Sequence, residues 1–128
     1  MTVPSDDSAL RALDDLSAQV ERSIRDLHGV QDRLDTLRKW RTAGTPWTDI
    51  VAKENRPLVV KMIASVLDDL GETGSRFRRE EALALRRENV SITRISELFG
   101  VSRQRISAIL RDREPSVAAR DLPDHGAV

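Results

Sequence analysis

Between residues 9 and 41 apolar side chains return every three or four positions. With Leu13 as the first a position of a heptad, a falls on Leu13, Val20, Leu27 and Leu34, and d on Leu16, Ser23, Val30 and Leu37. Only Ser23 breaks the pattern, and Ile24 beside it partly repairs the gap. A stripe this narrow, sustained over four heptads, predicts a coiled coil. The alternative is an amphipathic helix folded back on its own chain, which ordinarily shows a wider apolar face. The coiled-coil reading makes Leu13, Leu16, Val20, Ile24, Leu27, Val30, Leu34 and Leu37 the candidate dimer contacts. A rod of this length spans roughly 45 Å. Its g and e pairs (Gln19 with Ile24, Asp26 with Gln31, Arg33 with Arg38) hold no charge code for strand orientation.

The rod is expected to end at RTAGTPW. Gly44 breaks the helix, Thr45 can cap the next one, and Pro46 suits a first turn. Trp40 and Trp47 flank this joint as packing residues. A short helix is expected over 45–55, and Pro57 restarts the chain. Leu58, Val59, Met62, Ile63, Val66, Leu67 and Leu70 then form a broad apolar face, read as core beneath the C-terminal segments. Gly71 and Gly74 are expected to end that helix, and Ser75 to cap another over 76–88 with Phe77, Ala82, Leu83 and Leu85 as its apolar contacts.

The pattern then shortens. Ile92, Ile95, Leu98 and Phe99 give one helical face, started by Ser91 or Thr93. Gly100 stops it, because glycine readily takes the left-handed backbone just past a helix end. Val101 follows as a buried plug. Ser102 caps a last helix over 103–111, with Ile106, Ile109 and Leu110 facing inward. Two short helices joined by a glycine turn, with a further helix behind them, are the parts of a helix-turn-helix, whose second helix enters the major groove.

The run ISELFGVSRQRISAIL resembles the helix-turn-helix of bacterial DNA-binding proteins. With EALALRRENVSITR before it, the stretch 76–111 is similar to the trihelical domains of recombinases and of sigma-factor region 4. Aligned on Gly100, the buried positions of that motif fall on Ile95, Val101, Ile106 and Ile109. Ser96 stands where the motif most often has Ala, and is small enough for the same close contact. The resemblance implies that Ser102, Arg103, Gln104, Ser107, Ala108 and Arg111 face the groove. Their chemistry agrees: Arg donates twice to guanine, Gln pairs bidentately with adenine, and Ala admits a thymine methyl. Ser102, at a helix start, suits a phosphate. Arg105 leans toward the backbone, and Arg94 is a further phosphate candidate. Arg76, Arg78 and Arg79 either join it or pair with Glu80, Glu81 and Glu88.

The net charge of zero conceals a split. Residues 72–113 carry ten arginines against six acidic groups, whereas residues 1–40 carry six basic and eight acidic ones. The basic excess is thus confined to the segment that would meet phosphates. The chain has no Cys, so disulfides and thiolate sites are excluded. His28 and His125 lie far apart, so no metal site is expected; Asp68 and Asp69 diverge on a helix and read as solvated. No phosphate-binding glycine loop or nucleophile motif suggests an enzyme or a cofactor. No apolar run approaches the ~18 residues of a membrane span, and the expected location is cytoplasmic, at the nucleoid.

The expectation is therefore an all-α chain: residues 1–8 disordered, 9–41 a coiled-coil dimerisation helix, 45–111 a helical domain with its helix-turn-helix at 92–111, and 112–128 a disordered tail. As a homodimer it would bind double-stranded DNA sequence-specifically, as a bacterial transcriptional regulator, with no evident small-molecule effector. Two alternatives stand beside this: a nucleoid-associated or phage or plasmid DNA-organising protein, and an adaptor docking a regulatory protein, RNA polymerase or a sigma factor through the coiled coil.

Overall fold

A computed structural model of the chain describes residues 7–112, and every element within them is helical. Five helices follow in order: α1 (Ser8–Thr42), α2 (Trp47–Lys53), α3 (Val59–Arg87), α4 (Ile92–Phe99) and α5 (Arg103–Arg111). The terminal segments expected to be disordered lie outside the described residues, apart from the positions next to α1 and α5. None of these helices is long and apolar enough to cross a membrane.

The contacts divide the described residues into two compact units, residues 13–74 and residues 75–112 together with the first turn of α1. This boundary differs from the expected division at residues 41–45. The apolar face of 58–70 belongs with α1, not beneath the C-terminal helices.

In the first unit α1 and α3 form a hairpin closed by α2. Going back along α1, Lys53 lies over the Trp40 ring at 4.2 Å and Arg33 reaches Glu54, Asn55 and Met62. The two helices of this hairpin therefore run antiparallel. Its interior holds Val30, Ile50, Val59 and Val66. Two polar residues share it: Gln19 donates to Ser23 Oγ at 3.2 Å and accepts from Arg22 at 2.8 Å, so neither buried side chain is left without a partner.

This packing divides the predicted seam. Val30 is only 4% exposed and Ser23 is buried with it, while Leu16 and Leu37 are half-buried. Leu13, Val20, Ile24, Leu27 and Leu34 stay exposed. Val30 is therefore corrected from an intermolecular contact to core of its own hairpin. One of the two heptad stripes, the d positions Leu16, Ser23, Val30 and Leu37, is thus buried or half-buried inside the chain.

Two helix boundaries also differ from expectation. Gly71 and Gly74 do not end a helix, and Ser75 caps nothing, because α3 runs unbroken through all three. Each glycine costs about 1 kcal/mol relative to Ala in a helix interior, too little to stop a helix of 29 residues anchored at both ends. At the first joint the N-cap position of α2 is Pro46 and not Thr45. Thr45 instead closes α1: its N–H donates to Trp40 O and that of Gly44 to Arg41 O, with Gly44 at φ +99°. These two bonds make a Schellman motif that satisfies the last carbonyls of α1. Trp47 is 57% exposed beneath the Arg41 guanidinium at 5.3 Å, so only Trp40 packs as expected.

The second unit is organised around Ala82 of α3, Ile95 of α4 and Ile106 of α5, each fully buried. Burying an isoleucine contributes about 1.5–3 kcal/mol, so these three side chains hold the three helices together.

Candidate nucleic-acid interface

The two short helices owe their boundaries to four local devices. At the end of α3, Asn89 takes φ +67°, its N–H donating to Arg86 O and that of Val90 to Leu85 O. Ser91 starts α4, its hydroxyl accepting from Arg94 N at 3.1 Å. Gly100 ends α4 at φ +70°, where Val101 N donates to Ser96 O and Gly100 N to Glu97 O. Ser102 starts α5 by accepting from Arg105 N at 3.0 Å. Gly100, Val101 and Ser102 thus make a three-residue turn that is hydrogen-bonded on both sides.

Inside the turn, Ile95 and Ile106 hold α4 against α5, and Ile109 is half-buried. Ser96 is buried and donates to Thr93 O at 2.8 Å, so its extra hydroxyl costs no unpaired donor. Val101 departs from its expected role as a plug: it is 36% exposed. It sits at the apex of the turn, where the backbone bond to Ser96 faces inward and the side chain is left at the edge. Leu98, on the expected inner face of α4, is 53% exposed as well.

The outward surface is polar. Ser102, Arg103, Gln104, Arg105 and Arg111 are exposed, and Ser107 and Ala108 are half-buried. Gln104, Ala108 and Arg111 recur at i, i+4 and i+7 on the side of α5 away from Ile106, with Arg103 and Ser107 along one flank. Long polar groups therefore frame one small side chain, a surface that can enter a groove without a central obstruction.

Of the other arginines, Arg94 pairs with Glu97 at 3.1 Å on an exposed face. Arg78 lies over the Phe99 ring at 4.3 Å and reaches Glu81 at 3.9 Å, which tethers it to α4. Arg86 donates to Val90 O at 3.0 Å, bracing the turn after Asn89. Arg79 is only 4% exposed, and its Nε has no partner among the described residues. It is thereby corrected from a phosphate candidate to a structural residue. Composition does not mark it out, since residues 76–94 hold six arginines and only packing separates Arg79 from the others. Arg87, exposed in the last turn of α3, adds to the basic surface and was visible beforehand only in the segment's charge count. Among the described residues no group of acidic side chains or histidines could hold a metal ion.

Comparison with protein-family models, with curated proteins and with solved structures found no match.

Proposed function

We propose that this chain is a dimeric, sequence-specific double-stranded-DNA-binding protein, acting as a bacterial transcriptional regulator, with α5 as its recognition helix. The observation that carries the reading is the outer face of α5. Ser102, Arg103 and Gln104 stand exposed at its N-terminus, and Ala108 and Arg111 continue the same side. Arg103 would donate to a guanine edge, Gln104 to an adenine, and Ala108 would leave room for a thymine methyl. Ser102 and the free N–H groups of the first turn would meet a phosphate, which fixes the register of the helix. Arg105, Ser107 and Arg111 complete the contact, and Arg94 would trade Glu97 for a phosphate at little cost, because the pair is exposed.

One recognition helix buries too little surface for tight binding. Pairing two subunits converts two weak contacts into one strong one, and α1 would supply that pairing. The test is genome-wide crosslinking and sequencing, followed by binding of recovered and scrambled duplexes at physiological salt. Discrete sites, bound at least ~1,000-fold more tightly than scrambled DNA, are the expected result. Uniform coating of the chromosome would mean a DNA-organising protein, and no DNA with a stable protein complex would mean an adaptor.

A further inference from the structure

The surface that the hairpin leaves uncovered is too regular to be incidental. On α1 the exposed residues Leu13, Val20, Leu27 and Leu34 follow one another at seven-residue intervals, and Ile24 lies beside them. On α3, Val60 and Leu67 are 72% and 63% exposed, and Gly74 continues the same interval. The two rows lie on the same side of the hairpin. A shallow groove lined by Asp26 of α1 and by Lys61, Ser65 and Asp68 of α3 marks the opposite side. At about 100° per residue, Asp26 falls to one side of the buried Val30, and Val20 and Leu27 to the other. The same rotation on α3 puts Lys61 and Ser65 to one side of the buried Val66, and Leu67 and Val60 to the other. Because the helices are antiparallel, equal senses of rotation meet on one side.

The levels also match. With Arg33 against Met62, Leu34 stands within about one residue, roughly 1.5 Å, of the level of Val60, Leu27 of Leu67, and Val20 of Gly74. On α3 one end of the face is bulky, at Val60 and Leu67, and the other is shallow, at Gly71 and Gly74, while α1 is apolar along its whole length. Apart from the helix's own backbone, nothing among the described residues lies within 4 Å of a Cβ placed on Gly71 or Gly74, so no contact between these residues accounts for two glycines inside a helix.

We propose that this two-helix face binds a second copy of the chain as an antiparallel four-helix bundle, rather than α1 pairing alone as a two-stranded coiled coil. A two-fold axis through the Leu27–Leu67 level brings Val60 of each chain over the partner's Gly74 and Leu34 over the partner's Val20, apolar on apolar along both helices. The face is therefore complementary to itself, as an isologous interface requires. Scaled from their exposures, the five α1 side chains with Val60 and Leu67 present roughly 600–700 Å² per chain, close to the ~800 Å² per partner of a standard interface. This sharpens the pairing within the functional reading above, and because it is measured without DNA, its failure is distinguishable from failure of the DNA-contacting face of α5.

The test is light scattering and sedimentation of the full chain at micromolar concentration. The wild type is expected as a dimer of 14.4 kDa chains. Leu67→Asp, on α3, is expected to raise the dissociation constant by on the order of 100-fold, as loss of a central apolar anchor does. Gly71→Leu fills the shallow end of the α3 face and removes a helix-weakening glycine, and its Cβ meets no atom within 4 Å among the described residues. It should therefore stay folded by circular dichroism and become monomeric, and it answers the question even if Leu67→Asp unfolds. Asp68→Lys, on the groove side, should leave the dimer unchanged. A folded Gly71→Leu that remains dimeric, or a wild-type monomer, would overturn the proposal. For orientation, the chain has no Cys, so single cysteines can be joined with a short bis-maleimide. Leu67→Cys should cross-link to itself and Val60→Cys should not; equal self-linking of both would mean parallel pairing and sink the antiparallel arrangement.

Discussion

Asn89 and Gly100 hold the same left-handed backbone conformation, at φ +67° and +70°, one at each end of the segment that contains α4. Both are followed by a valine whose N–H reaches back to the preceding helix, Val90 to Leu85 and Val101 to Ser96. The chain thus uses one terminating device twice, once with the residue that costs nothing there and once with the best-tolerated substitute.

That equivalence predicts a graded series at position 100. A Cβ placed on Gly100 meets no atom within 4 Å among the described residues, so the left-handed backbone is the main obstacle to a small side chain there. Gly100→Asn should be nearly tolerated, as Asn89 is in its own turn. Gly100→Ala should cost about 1–2 kcal/mol, and Gly100→Val more. Thermal unfolding checks this, at roughly 4–8 °C per kcal/mol for a unit of this size. Equal melting temperatures for Asn and Val would contradict the left-handed turn.

Ser102 has two jobs that different substitutions separate. Its hydroxyl caps α5 through Arg105 N, and in the proposed reading it would also meet a phosphate. Ser102→Ala should lower stability by about 0.5–2 kcal/mol. Ser102→Asp caps as well as Ser, so the melting temperature should hold, yet its carboxylate should weaken DNA binding by roughly tenfold or more. If the Asp variant binds as well as wild type, the start of α5 does not face the phosphates.

Glu54 joins three segments. Its carboxylate accepts from Val59 N at 2.8 Å, at the first residue of α3, and lies 3.6 Å from Arg33 of α1. Glu54→Ala should cost about 1–3 kcal/mol, because it uncaps α3 and leaves Arg33 with less compensation. Glu54→Gln keeps an acceptor for Val59 and should lose about half as much. Chemical denaturation of the two variants distinguishes capping from ion pairing: equal losses would assign the effect to charge.

Local chemistry was the most legible part of this chain. Gly100 as a turn, Ser91 and Ser102 as caps, and Ile95 and Ile106 as the inner residues of the two short helices follow from side-chain geometry within a few residues. What depended on distant partners was not. A heptad states that a helix has an apolar stripe, but not whether the partner is another copy or the same chain; Val30 and Leu27 share one pattern and separate only when α3 returns alongside. Gly71 and Gly74 read as stops because glycine weakens a helix, yet flanking residues sustain it. Val101 and Arg79 were misplaced for a related reason, since burial at a turn apex or along an arginine-rich helix is decided by what packs above it.

The functional reading stands or falls on Arg103 and Gln104. Both are exposed, and neither takes part in the Ile95–Ile106 packing or in the caps. Arg103→Ala with Gln104→Ala should therefore leave helicity, melting temperature and self-association unchanged. Each lost bidentate base contact should cost about 1–3 kcal/mol, and discrimination between cognate and scrambled duplexes should fall toward unity. The slope of log affinity against log salt should change little, because that slope counts phosphate contacts; Arg94→Ala should do the reverse, reducing the slope by about one while sparing specificity. A double variant that still discriminates cognate DNA would show that α5 does not read bases, and the adaptor reading would then be the one to pursue.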